Sequence, residues 1–250
     1  MKRTLSGLLA LLSLLAVARA APLDGEKREA TLRYIHQLQN EDGGFRSSAI
    51  AGASSLGATA SCLRALNYLG AVPRHRQKVI ESVRSCYDRS TGGFVETPGG
   101  TSDVRSTAMG LMAAAALAVP LDEWGKATTA YFTRHARRLA DIYLAEAALD
   151  ATGLKPPHAR EWLAAFKATR NAEGTYGTGA FDTAGAVVTI LRLDGEVKQR
   201  DAVVRALKAA QRPDGGFSAA RDTADLATTY RMMRAFWMLK EKPHLGRLRE

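Results

Sequence analysis

The sequence predicts an all-α fold of tandem helical hairpins, about five of them, with the helices divided into an inner and an outer layer. The first observation behind this is a recurring turn. Gln39-Asn40-Glu41-Asp42-Gly43-Gly44-Phe45 returns as Gln211-Arg212-Pro213-Asp214-Gly215-Gly216-Phe217, as Ser90-Thr91-Gly92-Gly93-Phe94, and in weaker form as Asn171-Ala172-Glu173-Gly174-Thr175-Tyr176. The second is the period: the aromatic residues Phe45, Phe94, Tyr176 and Phe217 are 49, 82 and 41 residues apart. Because 82 is twice 41, one repeat in the middle has lost its Gly-Gly turn, and periods of this size mark stacked or circular repeat folds. The third is an alternation of character, a helix with a charged face followed by one poor in charge and rich in Ala, Gly, Met and Leu.

Residues 1–20 read as a signal peptide. Met1-Lys2-Arg3 is a basic start, Leu8 to Val17 is an apolar run too short to span a bilayer, and Ala18-Arg19-Ala20 has the small-x-small pattern of a signal-peptidase site. The expectation is a chain exported by a Sec-type route to the periplasm or the extracellular space, with the mature protein, residues 21–250, forming one repeat domain.

Within that domain the first hairpin pairs helices over 27–39 and 56–69, and the second pairs 76–87 with 104–118. The third pairs 123–137 with 142–151, the fourth 159–170 with 183–193, and the fifth 199–210 with 226–240. Arg33, His36 and Gln37, or Lys78, Glu81 and Arg84, put charge on the first helix of a pair, which makes it the outer one. A stretch such as Ala108-Met109-Gly110-Leu111-Met112-Ala113 is packed on both sides and belongs inside. Each inner helix opens at a small polar residue: Ser55, Asp103, Asp141, Asp182 and Asp225, at intervals of 48, 38, 41 and 43. As N-caps they would satisfy free backbone N–H groups and meet the positive end of the helix dipole. In a ring of helices running the same way, the same carboxylates would also gather around one mouth.

The chain carries 35 Lys and Arg against 25 Asp and Glu, and three of the basic residues lie in the first twenty, which leaves a mature charge of +7. No nucleic-acid motif accompanies that surplus, so no nucleic-acid partner is expected. Cys62 and Cys86 are an even pair, but one falls in mid-helix and the other at the far end of the next helix, an offset of roughly 10 Å at 1.5 Å per residue that argues against a bridge. His36, His75, His135, His158 and His244 have no metal-ligand spacing, and Asp42 and Asp214 lack the alternating acids of a calcium loop, so no metal and no cofactor is expected.

The Gln-x-x-Asp-Gly-Gly-Phe turns, the Asp-started inner helices and the period of about forty resemble the α/α-toroid repeats shared by protein prenyltransferase β subunits and by squalene and terpene cyclases. The likeness covers nearly all of the mature chain. It implies a ring of hairpins in which the turn glycines take conformations forbidden to other residues and the following aromatic anchors the turn. It implies nothing by itself about activity.

Prenyltransferases of this family hold zinc through an Asp-x-Cys start on one inner helix and an Asp-x-x-His start on another. Here the first set of slots ends in Arg105, Tyr143, Ala184 and Ala227, and the second in Ser106, Leu144, Gly185 and Thr228. Neither contains cysteine or histidine. The Arg and Lys that in the family precede the zinc aspartate have no match in Thr175-Tyr176-Gly177-Thr178-Gly179-Ala180-Phe181. The Asp-x-Asp-Asp acid of the squalene-type cyclases is approached by Asp222-Thr223-Ala224-Asp225, with Ala224 in the proton donor's place. The expectation is a repeat protein without a recognisable catalytic set that binds an isoprenoid or lipid, or a protein partner or second copy, on its concave inner surface; the rival is a divergent enzyme of prenyl transfer or terpene cyclisation. Candidate ligand-binding residues are Asp182, Asp225, Arg231, Tyr230 and Trp237, since a charge on an inner helix must reach the cavity mouth or an acid. With five hairpins the ring is expected to be open or completed by another copy, with its seam between the first and last repeats.

Overall fold

The computed structural model describes residues 24–50, 52–219 and 223–248, so the signal-peptide expectation, and Asp222 with it, lies outside the described residues. Five helical hairpins follow one another: α1 (Gly25–Gln37) with α2 (Leu56–Tyr68), α3 (Arg76–Ser85) with α4 (Val104–Ala116), α5 (Gly125–His135) with α6 (Leu139–Thr152), α7 (Ala159–Ala168) with α8 (Ala180–Arg192), and α9 (Arg200–Ala209) with α10 (Leu226–Met238). A 3-10 turn, Leu245–Leu248, follows. The all-α expectation holds apart from one two-residue ribbon, β1 (Tyr87–Asp88) against β2 (Gly93–Phe94), where the second Gly-Gly-Phe turn folds back on the end of α3.

The even-numbered helices form the inner layer, each packed on the next from α2 to α10, and the odd-numbered helices lie outside them. Their side chains explain the division: α4 buries Val104, Ser106, Thr107, Ala108, Gly110, Leu111, Met112, Ala113 and Ala114, whereas α3 buries only Val79, Ile80 and Val83. Small residues allow the close approach. A methyl group added at Gly110 would stand 2.4 Å from the Phe94 ring, so only glycine fits there. Two hydrophobic clusters meet at α4, one under the first two repeats and one running through the last three.

The turns lock each outer helix to its inner partner. Phe45, Phe94, Tyr176 and Phe217 are buried, and the backbone N–H of each donates to a threonine hydroxyl in the first turns of the following inner helix. The partners are Thr59 (3.0 Å), Thr107 (3.0 Å), Thr183 (3.2 Å) and Thr229 (3.0 Å). The first glycine of the turn abuts the outer helix of the next repeat, Gly43 against Lys78 and Gly92 against Ala127, both with positive φ. The third repeat has no such turn, and only residues 136–138 separate α5 from α6.

Two of the five expected caps are corrected. Ser55, Asp103 and Asp225 are N-caps, accepting the N–H groups of Ala58, Ser106 and Thr228. α6 and α8 begin three residues earlier than expected, after Arg138 and Gly179, which puts Asp141 and Asp182 in the third helical position. From there the carboxylate reaches backward, as the acid of a capping box does: Asp141 binds the Arg138 guanidinium at 2.9 Å, and Asp182 accepts the Thr178 N–H at 3.1 Å and its hydroxyl at 2.9 Å.

At the expected seam between the first and last repeats, α2 and α10 do not pack as the other neighbouring inner helices do. Tyr68 on α2 and Tyr230 on α10 bring their hydroxyls to 3.4 Å, and the Arg64 guanidinium lies 4.8 Å from the centre of the Tyr230 ring. The first and last inner helices therefore meet through long side chains rather than by close helix packing. Both cysteines are buried free thiols, and burial pushes Cys62 up to about 11.

Candidate functional site

The charged and phenolic side chains of the inner helices fall into two levels along the helices. Near the helix starts, Arg231 crosses from α10 past α8. Its guanidinium lies 3.7 Å from the centre of the Phe181 ring and 4.2 Å from that of Tyr143 on α6. A guanidinium between two aromatic faces is held by their quadrupoles and by dispersion. The absence of a side chain at Gly185 makes room, since a methyl there would be 3.3 Å from Arg231 Nη1. Burial lowers the Arg231 pKa, and the negative charge of Asp182 pulls in the opposite direction.

Near the helix ends the surface is more polar. Glu146 on α6 is 1 % exposed and pairs with Arg192 of α8 at 3.2 Å; Arg192 also lies 3.2 Å from Asp150, and Arg234 of α10 lies 4.0 Å from the same carboxylate. Burial pushes the Glu146 carboxyl from its ordinary 4.5 up to about 8, against the pull of the Arg192 charge. Arg234 stacks over Trp237 at 4.6 Å, and Arg64 approaches Met112 Sδ at 3.5 Å as well as the Tyr230 ring. Burial raises the Tyr230 phenol, but its hydrogen bond with Tyr68 and the positive field of Arg64, Arg234 and Arg192 bring it below its ordinary value; Tyr68, chiefly through burial, moves up.

Of the five residues singled out from the sequence, Arg231 and Tyr230 lie in these two levels. Trp237 borders the second and is 64 % exposed, unlike its neighbour Phe236, which is in the core. Asp182 and Asp225 stand at the helix starts, where each binds backbone N–H groups. Sequence reasoning missed Arg64, Tyr68, Glu146, Asp150 and Arg192. A signal was present: each is an uncharacteristic charge or phenol on an otherwise small and apolar inner helix, and Arg64 and Tyr68, like Glu146 and Asp150, are spaced by four residues.

The same geometry tests the metal that the fold family implies. Two of the slots where the family would carry cysteine or histidine, Tyr143 and Gly185, are taken by the ring and the gap that seat Arg231. None of the side chains at these slots is a zinc donor of the kind structural or catalytic sites use, and a fixed guanidinium there opposes a cation. Zinc does not fit this chain's residues. Among the described residues, no group of three His, Cys, Asp or Glu side chains stands close enough to share a metal ion.

The domain family described as the prenyltransferase alpha-alpha toroid domain matches residues 3–130 and 121–246, a span that begins inside the expected leader. Solved structures of the type II terpene cyclase MstE from Scytonema are similar in fold. A variant of that enzyme in complex with merosterolic acid A, its product, is 15% identical over 85% of this chain and 73% of its own, with a TM-score of 0.62. A variant in complex with geranylgeranyl dihydroxybenzoate, its substrate, is 13% identical over 88% of this chain and 79% of its own, with a TM-score of 0.60. No curated protein matches the sequence. Likeness at such identities establishes the fold.

Proposed function

The chain belongs to the prenyltransferase alpha-alpha toroid family, and we propose that it is an exported, non-catalytic member that binds an isoprenoid or lipid on its concave inner face. The observation that carries the reading is the Arg231 clamp. Where the prenyltransferase branch needs cysteine and histidine, this chain has Tyr143 and Gly185, and both are engaged in seating a guanidinium between two rings. A stacked, fixed cation is a recognition element rather than a proton donor or a metal ligand. The isoprenoid ligands of the similar cyclase structures support the choice of ligand class. A protein partner or a second copy could reach the same face through Tyr68 and Trp237, which stand exposed beside it.

The rival reading, a divergent enzyme of isoprenoid chemistry, has one observation in its favour. Glu146 is an acid that keeps its proton to about 8, as a proton donor to an alkene must near neutral pH. Its carboxyl is fully buried and turned toward Arg192, however, which places it within the wall.

The test is mass spectrometry of what copurifies with the protein from its exporting host, alongside assays for prenyl transfer to a thiol and for cyclisation of a polyprenyl substrate. The expected result is a stoichiometric isoprenoid or lipid, a mature N-terminus at Ala21, and no turnover. Turnover abolished by Glu146→Gln would establish the enzyme instead.

A further inference from the structure

We propose that the end of the ring where the inner helices finish holds an anion site, formed by Arg64, Arg192 and Arg234 around Tyr230, that takes a phosphate group. This deepens the reading of the inner face as a ligand surface and rests on it.

The three guanidiniums come from three helices, α2, α8 and α10, and outnumber the two carboxylates beside them. Asp150 lies near Arg192 and Arg234. Glu146 is the other carboxylate in the cluster, and a burial that favours its neutral form leaves the set with a positive surplus near neutral pH. Among the described residues no carboxylate lies within ion-pair distance of Arg64, whose contacts are a thioether and an aromatic face. The Nε atom of Arg192, whose side chain is 8% exposed, lies 3.2 Å from Asp150, while that of Arg234 is buried without a hydrogen-bond partner. A charged donor left in that state is costly unless something supplies an acceptor.

An alternative use for these arginines is to neutralise the negative ends of the inner helices. That task is already done from outside. Arg28 of α1 donates to the Leu69 carbonyl at the end of α2, Arg76 of α3 to the Leu117 carbonyl at the end of α4, and Arg200 of α9 to the Leu239 carbonyl at the end of α10. The helices that carry Arg64 and Arg234 thus have capped ends, and the inward arginines are additional.

Planar guanidiniums from three helices whose charges all act on the Tyr230 hydroxyl suit the tetrahedral oxygens of a phosphate, with the Tyr68 and Tyr230 hydroxyls as further donors. The exposed rings of Tyr68 and Trp237 beside the site would contact whatever apolar part the phosphate carries. The same chemistry is offered by a small free phosphate compound and by a phospholipid head group.

The experiment uses the purified full-length protein. Inorganic phosphate is titrated by calorimetry at constant ionic strength, and flotation is compared on phosphatidylcholine vesicles with and without phosphatidic acid. Saturable phosphate binding, weakened about tenfold or more by Arg64→Gln and by Arg234→Gln and unchanged by Arg205→Gln on the exposed outer helix α9, is the expected result. Flotation only with phosphatidic acid assigns the site to a lipid head group; phosphate binding without flotation assigns it to a soluble compound. Circular dichroism checks folding, and Arg64→Lys, which keeps the charge and loses the stack, should bind between wild type and Arg64→Gln. Binding that is equal in wild type and in both Gln variants, or no saturable phosphate binding and no selective flotation, overturns the site. A copurified lipid without phosphate that stays bound in Arg64→Gln and Arg234→Gln overturns the site while leaving the lipid-binding function intact.

Discussion

At the starts of the inner helices acidic side chains face backbone; at their ends basic side chains face rings and the carboxylates of α6. Asp103 and Asp225 accept N–H groups of their own helices at 2.7 Å, and Asp182 accepts the N–H and hydroxyl of Thr178. Such carboxylates are satisfied locally, and their positions follow from helix geometry alone. Arg64, Arg192 and Arg234, by contrast, reach to residues 42 or more positions away in sequence, and no local rule requires them. Charge that the backbone consumes is architecture, and charge that the backbone leaves over is the better marker of a site.

The largest expected effect lies at the second end. Arg192→Met keeps most of the volume and removes the one buried cation facing Glu146. At pH 9 wild-type Glu146 is ionised against Arg192, whereas in the variant burial without that charge raises the carboxyl further and holds its proton, so the loss should exceed that at pH 5 by about 1 kcal/mol. At pH 5, with Glu146 protonated in both, only the lost packing and hydrogen bond remain. Urea unfolding at the two pH values measures both, and equal losses would show that Glu146 does not depend on Arg192 for its charge.

Glu146→Gln should act in the opposite direction. Its folded carboxyl titrates near 8 and the unfolded one near 4.5, so the folded state binds the proton more tightly. That contribution is fully present below 4.5 and is lost as pH rises to 8, with a slope of at most about 1.4 kcal/mol per pH unit. The groups facing it are Arg192 and Arg234, which favour ionisation, and Asp150, which opposes it. Glu146→Gln should match wild type at pH 5, exceed it at pH 9, and show a flatter profile between. A wild-type stability that rises from pH 5 to pH 8 would contradict this.

At the first end the effects are smaller. Asp103→Ala removes a cap acceptor at 2.7 Å and should cost about 0.5–2 kcal/mol, while Asp103→Asn keeps an acceptor and should be mild. Thermal unfolding of the two variants should separate them; indistinguishable melting points would mean that the carboxylate's charge or its cap is irrelevant to α4.

Most of the architecture was legible because it repeats. Four Gly-Gly or Gly-Thr turns followed by an aromatic set the period, and the third hairpin, which lacks the turn, was recovered from the spacing of Asp141 between Asp103 and Asp182. The same regularity misled at α6 and α8. Asp141 and Asp182 sit near helix starts as Asp103 does, but nothing in a periodic pattern says whether the helix begins at the acid or three residues before it, and Ala140 and Phe181 are compatible with either. The threonines that fix the turns were missed because a hydroxyl in the first turn of a helix has many ordinary roles. The arginine cluster was half seen. Arg234 is conspicuous on α10, but Arg64 and Arg192 join it only once the ring has folded, through contacts that span 42 to 166 residues.

The smallest effects decide whether Asp182 and Asp225 belong to the ligand face at all. If each is consumed by its own helix start, Asp182→Asn and Asp225→Asn should each change stability by only a few tenths of a kcal/mol, because the amide keeps an acceptor and loses only the interaction of charge with the helix dipole. The double variant should equal the sum of the two within about 0.3–0.5 kcal/mol, as for sites without shared partners. Arg231 is the one group that could join them. It is held by Phe181 and Tyr143, with Asp182 contributing only a longer-range field, so removing that charge should not release it. Denaturant titrations of the two single variants and the double, repeated with the copurified lipid restored, provide the measurement. Additive and ligand-independent effects would leave both acids as parts of helix starts. A coupling above about 0.5 kcal/mol that appears only with the lipid bound would instead bring them into the site with Arg231 and erase the difference between the two ends of the ring.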